Sequence, residues 1–351
     1  MRSTRVPSED KMTIKPILNK LADAQDLTMD EMRQAMNVIM SGDATPSQIG
    51  AFLMGLRVKG ETVEEIAGAV SILREKMTRV DAPENAIDIV GTGGDGVGTY
   101  NISTAASIIV AASGTPVAKH GNKALSSRSG SSEALQMLGV ELDLKAKQIG
   151  DCIKQAGIGF MFAPNHHAAM RFVGPSRQEM GVRTLFNILG PQSNPAGVKQ
   201  YLLGVYDKQW VRPVADALLK NGATSAWVVH GSDGLDELTT TGHSYVAEIK
   251  DGEVREFEVS PEDGGLPIAD LNQLLGGTPE ENAEAMRKLF DGEKSAYRDV
   301  ALFNAAAAFI VTGQVTDLKV GVALAAELVD SGKVKEKLAE LVKVSNGVAQ
   351  S

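Results

Sequence analysis

Residues 91–104 read GTGGDGVGTYNIST and directly follow the apolar stretch Ile87-Asp88-Ile89-Val90. Glycine at 91, 93, 94 and 96 leaves the backbone nearly free of Cβ atoms. Such a segment can adopt φ > 0 and turn successive N–H groups toward one point. Thr99, Asn101, Ser103 and Thr104 follow with short hydrogen-bonding side chains, and residues 105–112 read as a buried helix whose positive end faces the loop. Strand, glycine turn and helix in that order form one unit of an α/β sheet and make an anion site, best suited to phosphates. The spacing Gly91-x-Gly93-x-x-Gly96 also fits a dinucleotide-binding fingerprint, which requires an acid about twenty residues on. Residues 115–120, TPVAKH, are basic there. A nicotinamide or flavin site and a purely structural turn stand as the competing readings.

The rest of the chain divides by texture. Residues 14–80 carry helical patterning only. Thr28 with Glu31, and Thr62 with Glu65, have capping-box spacing, and Pro46 suits the first position of a helix. After Pro83, short β-branched segments at 87–90, 116–118, 157–162, 201–205, 226–230 and 244–249 alternate with helical ones, which predicts a mostly parallel sheet covered on both faces. Residues 168–190 turn helical again and are expected to return to the first unit. Residues 251–264 read as an acidic surface hairpin and loop, and 304–312 and 320–341 as C-terminal helices. The expected organisation is a disordered extension over 1–11, a small all-helical domain from 12–84 plus about 168–198, and a larger α/β domain from 85–167 plus 199–345.

Two further loops carry chemistry. Residues 119–132, KHGNKALSSRSGSS, hold three cations, five serines and two glycines at the end of a strand. They read as a second phosphate-binding loop, with a solvated basic loop as the alternative and Ser131 or Ser132 as a plain N-cap. Residues 231–237, GSDGLDE, place adjacent acids at another strand end. Beside a phosphate site such acids fit Mg²⁺, which takes one or two carboxylates and completes its shell with substrate oxygens and water. The alternative is a helix N-terminus that favours acids through its dipole. His166 and His167 lack further ligands at zinc spacing. Arg177 and Arg183 read either as site cations or as exposed helix charges.

The net charge of −9 opposes nucleic-acid binding, so a phosphorylated ligand must be held by local donors and a metal. The single cysteine, Cys152, excludes an internal disulfide, fits a reducing cytoplasm and reads as a small buried side chain. The apolar runs are too short to span a bilayer, and the charged start carries no secretory signal, so no membrane partner is expected.

Taken together, GTGGDG at 91–96, the N-x-S-T of 101–104, KHGN at 119–122, FNILGP at 186–191 and DGLDE at 233–237 make the chain resemble the anthranilate phosphoribosyltransferase family over residues 14–341. The resemblance implies a helical domain joined to an α/β domain, with homodimers formed through the helical part. It implies transfer of the phosphoribosyl group of phosphoribosyl pyrophosphate to the amine of anthranilate, a step of tryptophan biosynthesis. Donor contacts then carry over to Gly91, Gly94, Asp95, Thr99, Asn101, Ile102, Ser103, Thr104, Lys119, His120, Gly121, Asn122, Lys123, Ala124, Leu125, Ser126, Ser127 and Ser131. Metal ligands carry over to Ser103, Asp236 and Glu237, and acceptor contacts to Gly91, Asn122 and Arg177, with His120 and His167 nearby. Lys119, His120 and Arg177 are the candidate catalytic residues. Departures are Lys123 in place of the usual Arg, Ala168 in place of Pro after His167, and Gln192-Ser193 in place of Leu-Thr. The rival readings are a nucleoside phosphorylase of related fold, which has no use for the Asp236-Glu237 pair, and a nucleic-acid-binding paralogue, which the charge opposes.

Overall fold

The structure, a computed structural model, describes residues 13–123 and 129–350. The expected extension over 1–11 and the candidate residues Ala124, Leu125, Ser126 and Ser127 lie outside the described residues.

Four helices come first: α1 (Lys15–Ala22), α2 (Met29–Met40), α3 (Pro46–Lys59) and α4 (Val63–Lys76). The spacings seen in sequence close as reciprocal capping boxes at Thr28/Glu31 and Thr62/Glu65, with a third at Thr45/Gln48. Each satisfies N–H groups that a helix start leaves without partners. Glu65 is fully buried because Leu27 N, Thr62 N and Lys59 Nζ all donate to it, at 2.9, 2.8 and 3.0 Å.

The α/β part follows as β1 (Ile87–Gly91), α5 (Ile102–Ala112), β2 (Val117–Gly121), α6 (Ser131–Met137), α7 (Ala146–Ala156) and β3 (Ile158–Phe162). The chain then leaves the sheet through α8 (Ala163–His166), a 3₁₀ turn (Ala168–Phe172), α9 (Gly174–Met180) and α10 (Phe186–Leu189). In this excursion the 3₁₀ turn packs on α2, α9 on α3 and α10 on α4. The chain re-enters as β4 (Gln200–Gly204), α11 (Val211–Lys220), β5 (Ser225–Gly231), β6 (Ser244–Lys250) and β7 (Glu253–Val259), and ends with α12 (Pro279–Phe290), α13 (Ala296–Val311), α14 (Leu318–Asp330) and α15 (Lys333–Ala349).

The seven strands are ordered β3-β2-β1-β4-β5-β6-β7, the first five parallel and the last two antiparallel. Successive side chains of β4 enter opposite cores: Leu202 packs with the α5 and α13 side, Tyr201 and Leu203 with the α11 side. Burial on both faces explains why the parallel strands read as short apolar runs. After β3 the chain returns to the far side of β1, so the order reverses at β1 and β4. Open α/β sheets bind ligands at the carboxyl ends of strands at such a point.

Residues 251–264 form the expected hairpin and loop: β7 turns back from β6 at Asp251-Gly252 as a full edge strand with Glu and Arg on both of its faces, and the turn Pro261–Gly264 follows. Two local expectations change. The helix expected over 320–341 is two, divided at Gly332, whose φ of 81° breaks the first. The helix expected from 304 starts eight residues earlier, at Ala296, where Ser295 caps it. Cys152 is free and buried. No helix among the described residues is long and apolar enough to cross a membrane.

Candidate active site

A cavity of about 600 Å³ opens over the carboxyl ends of β1 and β2. Every described candidate residue, from Gly91 through Ser131 together with Arg177, Asp236 and Glu237, lines it.

The first wall is the glycine segment. Gly93, Gly94, Gly96 and Gly98 all take positive φ, between 65° and 80°. Gly91 is required for another reason, since a Cβ there would lie 2.3 Å from Asp236 Oδ2. The helix beyond starts at Ile102, three residues earlier than the apolar run indicated, which puts Ser103 and Thr104 in its first turn. The Asn101 side chain accepts from no N–H of that helix: its Nδ2 donates to Ser129 O at 3.3 Å, and its Oδ1 accepts from Asn282 Nδ2 at 3.0 Å. Behind it Tyr100 stacks on Tyr297, and Tyr297 donates to Asn101 O at 3.2 Å.

On the second wall, Lys119 and His120 belong to β2 itself and not to the loop after it, because the strand runs to Gly121. Alternation sends them to opposite faces. Lys119 is buried and donates to Ile89 O at 2.6 Å; burial lowers its pKa, while Asp88, Glu237 and Asp236 oppose the loss of charge. Asp88, an acid in the sheet core, accepts from His120 N at 3.1 Å and Asn194 Nδ2 at 2.7 Å, and burial raises its carboxyl to about 7. Lys123 lies over the Phe162 ring at 5.7 Å. Neither Ser131 nor Ser132 caps α6. Gly130 holds that position, and Ser131 Oγ instead donates to Asn122 O at 3.3 Å.

The third wall overturns the helix-dipole alternative for the acidic loop, since no helix follows residue 237 before β6. Asp236 and Glu237 are each 8% exposed. Gly93 N donates to Asp236 Oδ2 at 2.6 Å and Ser103 N to Glu237 Oε1 at 3.2 Å, and the Ser103 hydroxyl also bonds Glu237. Burial and then Asp95 raise Asp236 to about 7; burial and then Asp236 raise Glu237 to about 8. Two adjacent carboxylates out of water invite a cation. Among the described residues no group of three or more His, Cys, Asp or Glu is arranged to hold a metal. The protein therefore offers a pair of hard oxygen ligands, a set that fits Mg²⁺ shared with a polyphosphate better than an all-protein cage.

The fourth wall comes from the excursion between β3 and β4. Arg177 sits over the Phe186 ring at 5.2 Å, and burial lowers its pKa without a neighbouring charge in opposition. Arg183 is neither helical nor a free surface charge, because it donates to Gly94 O and stacks on Tyr206 at 4.3 Å. The rings of His120 and His167 lie 5.2 Å apart. Burial holds His120 well below its ordinary value and His167 at about 4, so both are neutral near pH 7. Among the described residues neither Nε2 has a hydrogen-bond partner, nor does Thr104 Oγ1. Buried polar atoms of this kind on a cavity wall are groups that a ligand would satisfy.

Sequence reasoning missed Asp88 and Asn194, which brace β2 behind this site, and met Phe186 only as part of a motif; Arg183 had stood as either a site cation or an exposed helix charge. Asp88 had a visible signal, a lone acid within an apolar strand.

Residues 15–77 match the family model described as glycosyl transferase family, helical bundle domain, and residues 83–335 match glycosyl transferase family, a/b domain. The chain is 59% identical over 333 residues to the anthranilate phosphoribosyltransferase of Parvibaculum lavamentivorans, covering 95% of this chain and 98% of that one. It is 57% identical over 333 residues to that of a Bradyrhizobium species, covering 95% and 99%. The crystal structure of anthranilate phosphoribosyltransferase from Thermus thermophilus superposes with a TM-score of 0.89 at 41% identity, over 94% of this chain and 99% of that one. The Saccharomyces cerevisiae enzyme in complex with phosphoribosyl pyrophosphate and Mg superposes with a TM-score of 0.88 at 28% identity, over 96% and 99%.

Proposed function

The chain belongs to the anthranilate phosphoribosyltransferase family, and we infer that its cavity joins phosphoribosyl pyrophosphate to the amine of anthranilate with release of pyrophosphate. The observation that carries the reading is one cavity with two kinds of wall. Glycine backbone, hydroxyls and paired carboxylates face Arg177 and two neutral imidazoles across it. The relatives support this reading and lend nothing to a phosphorylase.

The reaction forms a bond from the amine nitrogen to ribose C1 and breaks the bond from C1 to the pyrophosphate oxygen. Negative charge grows on the leaving group, and positive charge on the sugar ring. Residues 91–104 and 119–131 would hold the donor, with loop N–H groups, the hydroxyls of Thr99, Ser103, Thr104 and Ser131, and the cations Lys119 and Lys123 against its phosphates. Asp236, Glu237 and Ser103 would hold Mg²⁺, which supplies charge neutralisation for departing pyrophosphate when bound. Arg177 would pair with the acceptor carboxylate and fix the amine toward C1. The aromatic amine is neutral at pH 7 and needs no prior deprotonation. Once bonded to C1 its nitrogen is strongly acidic, so a weak base such as the depressed His120 imidazole can take the proton.

A division into a helical domain over 12–84 plus about 168–198 and an α/β domain over 85–167 plus 199–345 would give this cavity walls from both. A homodimer through the helical part is supported by Met54 and Val58, which stand exposed on α3. The free, buried Cys152 suits the reducing cytoplasm.

The test uses the two isomeric acceptors. With the carboxylate anchored by Arg177, moving the amine from ortho to para displaces it by several ångströms, and about 1 Å of misplacement can cost a hundredfold. Steady-state kinetics should show 2-aminobenzoate reacting and 4-aminobenzoate hardly at all. Arg177→Ala should raise the KM for 2-aminobenzoate about tenfold or more, the scale of a lost charged hydrogen bond, with little change for the donor. Equal use of both isomers would refute the reading of the acceptor wall.

A further inference from the structure

The stretch that carries Asp236 and Glu237 has neither helix nor strand to hold it, since residues 232–243 run irregularly from β5 to β6. Adjacent buried carboxylates repel, so an unrestrained loop would relax by turning one of them toward water. Two clasps oppose that motion. On α13 the fully buried Asn304 accepts from Leu238 N through Oδ1 at 3.1 Å and donates from Nδ2 to Leu238 O at 2.9 Å. One amide thus gives Leu238, the residue directly after Glu237, the pairing that a neighbouring strand would supply. At the other end Asp233 accepts from the hydroxyls of Thr239 and Thr241 through Oδ2, both at 2.6 Å, and from Leu235 N through Oδ1 at 3.2 Å. Asp233 is therefore fully engaged in closing the loop on itself. A reading of the motif as three equivalent acids would miscount it as a ligand.

We propose that Asn304 and Asp233 are positioning residues that hold the Asp236 and Glu237 carboxylates side by side against Ser103 before the donor arrives. The proposal rests on the reading that this pair shares Mg²⁺ with the donor. Neither positioning residue lines the cavity. Their loss should reach the chemistry only through the carboxylates.

The experiment is calorimetric titration of the full-length protein with phosphoribosyl pyrophosphate, without acceptor, once in Mg²⁺ and once in EDTA. Asn304→Ala should weaken binding in Mg²⁺ about tenfold, the scale for losing a partner that orients a metal ligand, and leave binding in EDTA unchanged. Thr241→Val, which removes one hydroxyl from Asp233, should show a smaller loss of the same kind, and Thr241→Ser should restore wild-type binding. The KM for 2-aminobenzoate should stay constant throughout. If Asn304→Ala fails to fold by circular dichroism, the Thr241 pair decides alone. Wild-type binding in Mg²⁺ for the folded variants, or equal losses in both buffers, overturns the proposal. The Asp236→Asn, Glu237→Gln double variant separates the two levels. If it keeps the full Mg²⁺ effect, the underlying reading fails. If it loses the effect while the clasp variants do not, only the positioning proposal fails.

Discussion

The glycine segment after β1 and the acidic segment after β5 meet on the cavity wall, where Gly93 N donates to Asp236, and beyond that contact they use glycine for opposite ends. At Gly94, Gly96 and Gly98 an added Cβ would meet nothing within 4 Å, and what those residues supply is positive φ. Around the acidic segment glycine supplies closeness. A Cβ on Gly204, at the end of β4, would lie 1.5 Å from Asp236 O, and one on Gly231 would lie 2.5 Å from Asp233 Oδ1. The first segment is open and can fold its N–H groups around a flexible polyanion. The second is pressed onto two strand ends and clasped from α13, as suits the proposed convergence of its carboxylates on one cation.

The largest effect should come from removing the charges on the held side. Asp236→Asn with Glu237→Gln should lower kcat at least about a hundredfold, the scale of losing one strong electrostatic stabiliser, and EDTA should abolish wild-type turnover until Mg²⁺ is returned. Near wild-type kcat in the double variant would dissolve the contrast altogether. Next is a paired substitution read by thermal melting and donor titration. Gly204→Ala drives a methyl into backbone and should cost about 3 kcal/mol of stability along with Mg²⁺-dependent donor binding. Gly94→Ala meets only its left-handed φ and should cost about 1 kcal/mol, with the loss confined to donor affinity. Equal penalties would erase the distinction between freedom and closeness.

The smallest effect is in pH. An acid whose folded pKa is raised binds more protons folded than unfolded, so its charging opposes folding and stability falls as pH rises. Asp236 at about 7 and Glu237 at about 8 therefore make the melting temperature decline from pH 6.5 to about 8 when donor and metal are absent. His120 and His167, held low, act with the opposite sign but only below their ordinary 6.5. Asp88, raised to about 7, adds to the decline in any variant that keeps it. The double variant should show a shallower slope, and an unchanged slope would place the decline on Asp88 instead.

Local patterns in the chain account for much of this. The glycine turn, the capping boxes and the apolar parallel strands depend on residues within a few positions of one another, so each was legible. The extents of β2 and α5 were not. Lys119, His120, Ser103 and Thr104 look like loop residues because polar side chains hide a regular backbone whose partners, Ile89, Asp88 and Glu237, lie far off in the sequence. β7 was legible only as an arm of a hairpin, because Glu and Arg on both of its faces leave no period-2 pattern. Asn304 stands in a helix of Ala, Leu and Phe, where a lone amide signals a buried partner without naming it. Arg183 makes its contact with Gly94 across 89 positions, and nothing local to either residue indicates it.

The excursion between β3 and β4 has a consequence for anyone cutting this protein apart. The chain passes from bundle to sheet after α4, leaves the sheet after β3 to lie on α2, α3 and α4, and returns at β4 in the middle of the sheet. A single cut near residue 80 therefore does not yield two modules. The sheet fragment would keep residues 163–198, whose packing surface stays with the other piece, and the bundle fragment would lose that cover. The two parts are laced together by three crossings, so transplanting a bundle from a relative requires exchanging two discontinuous stretches at once.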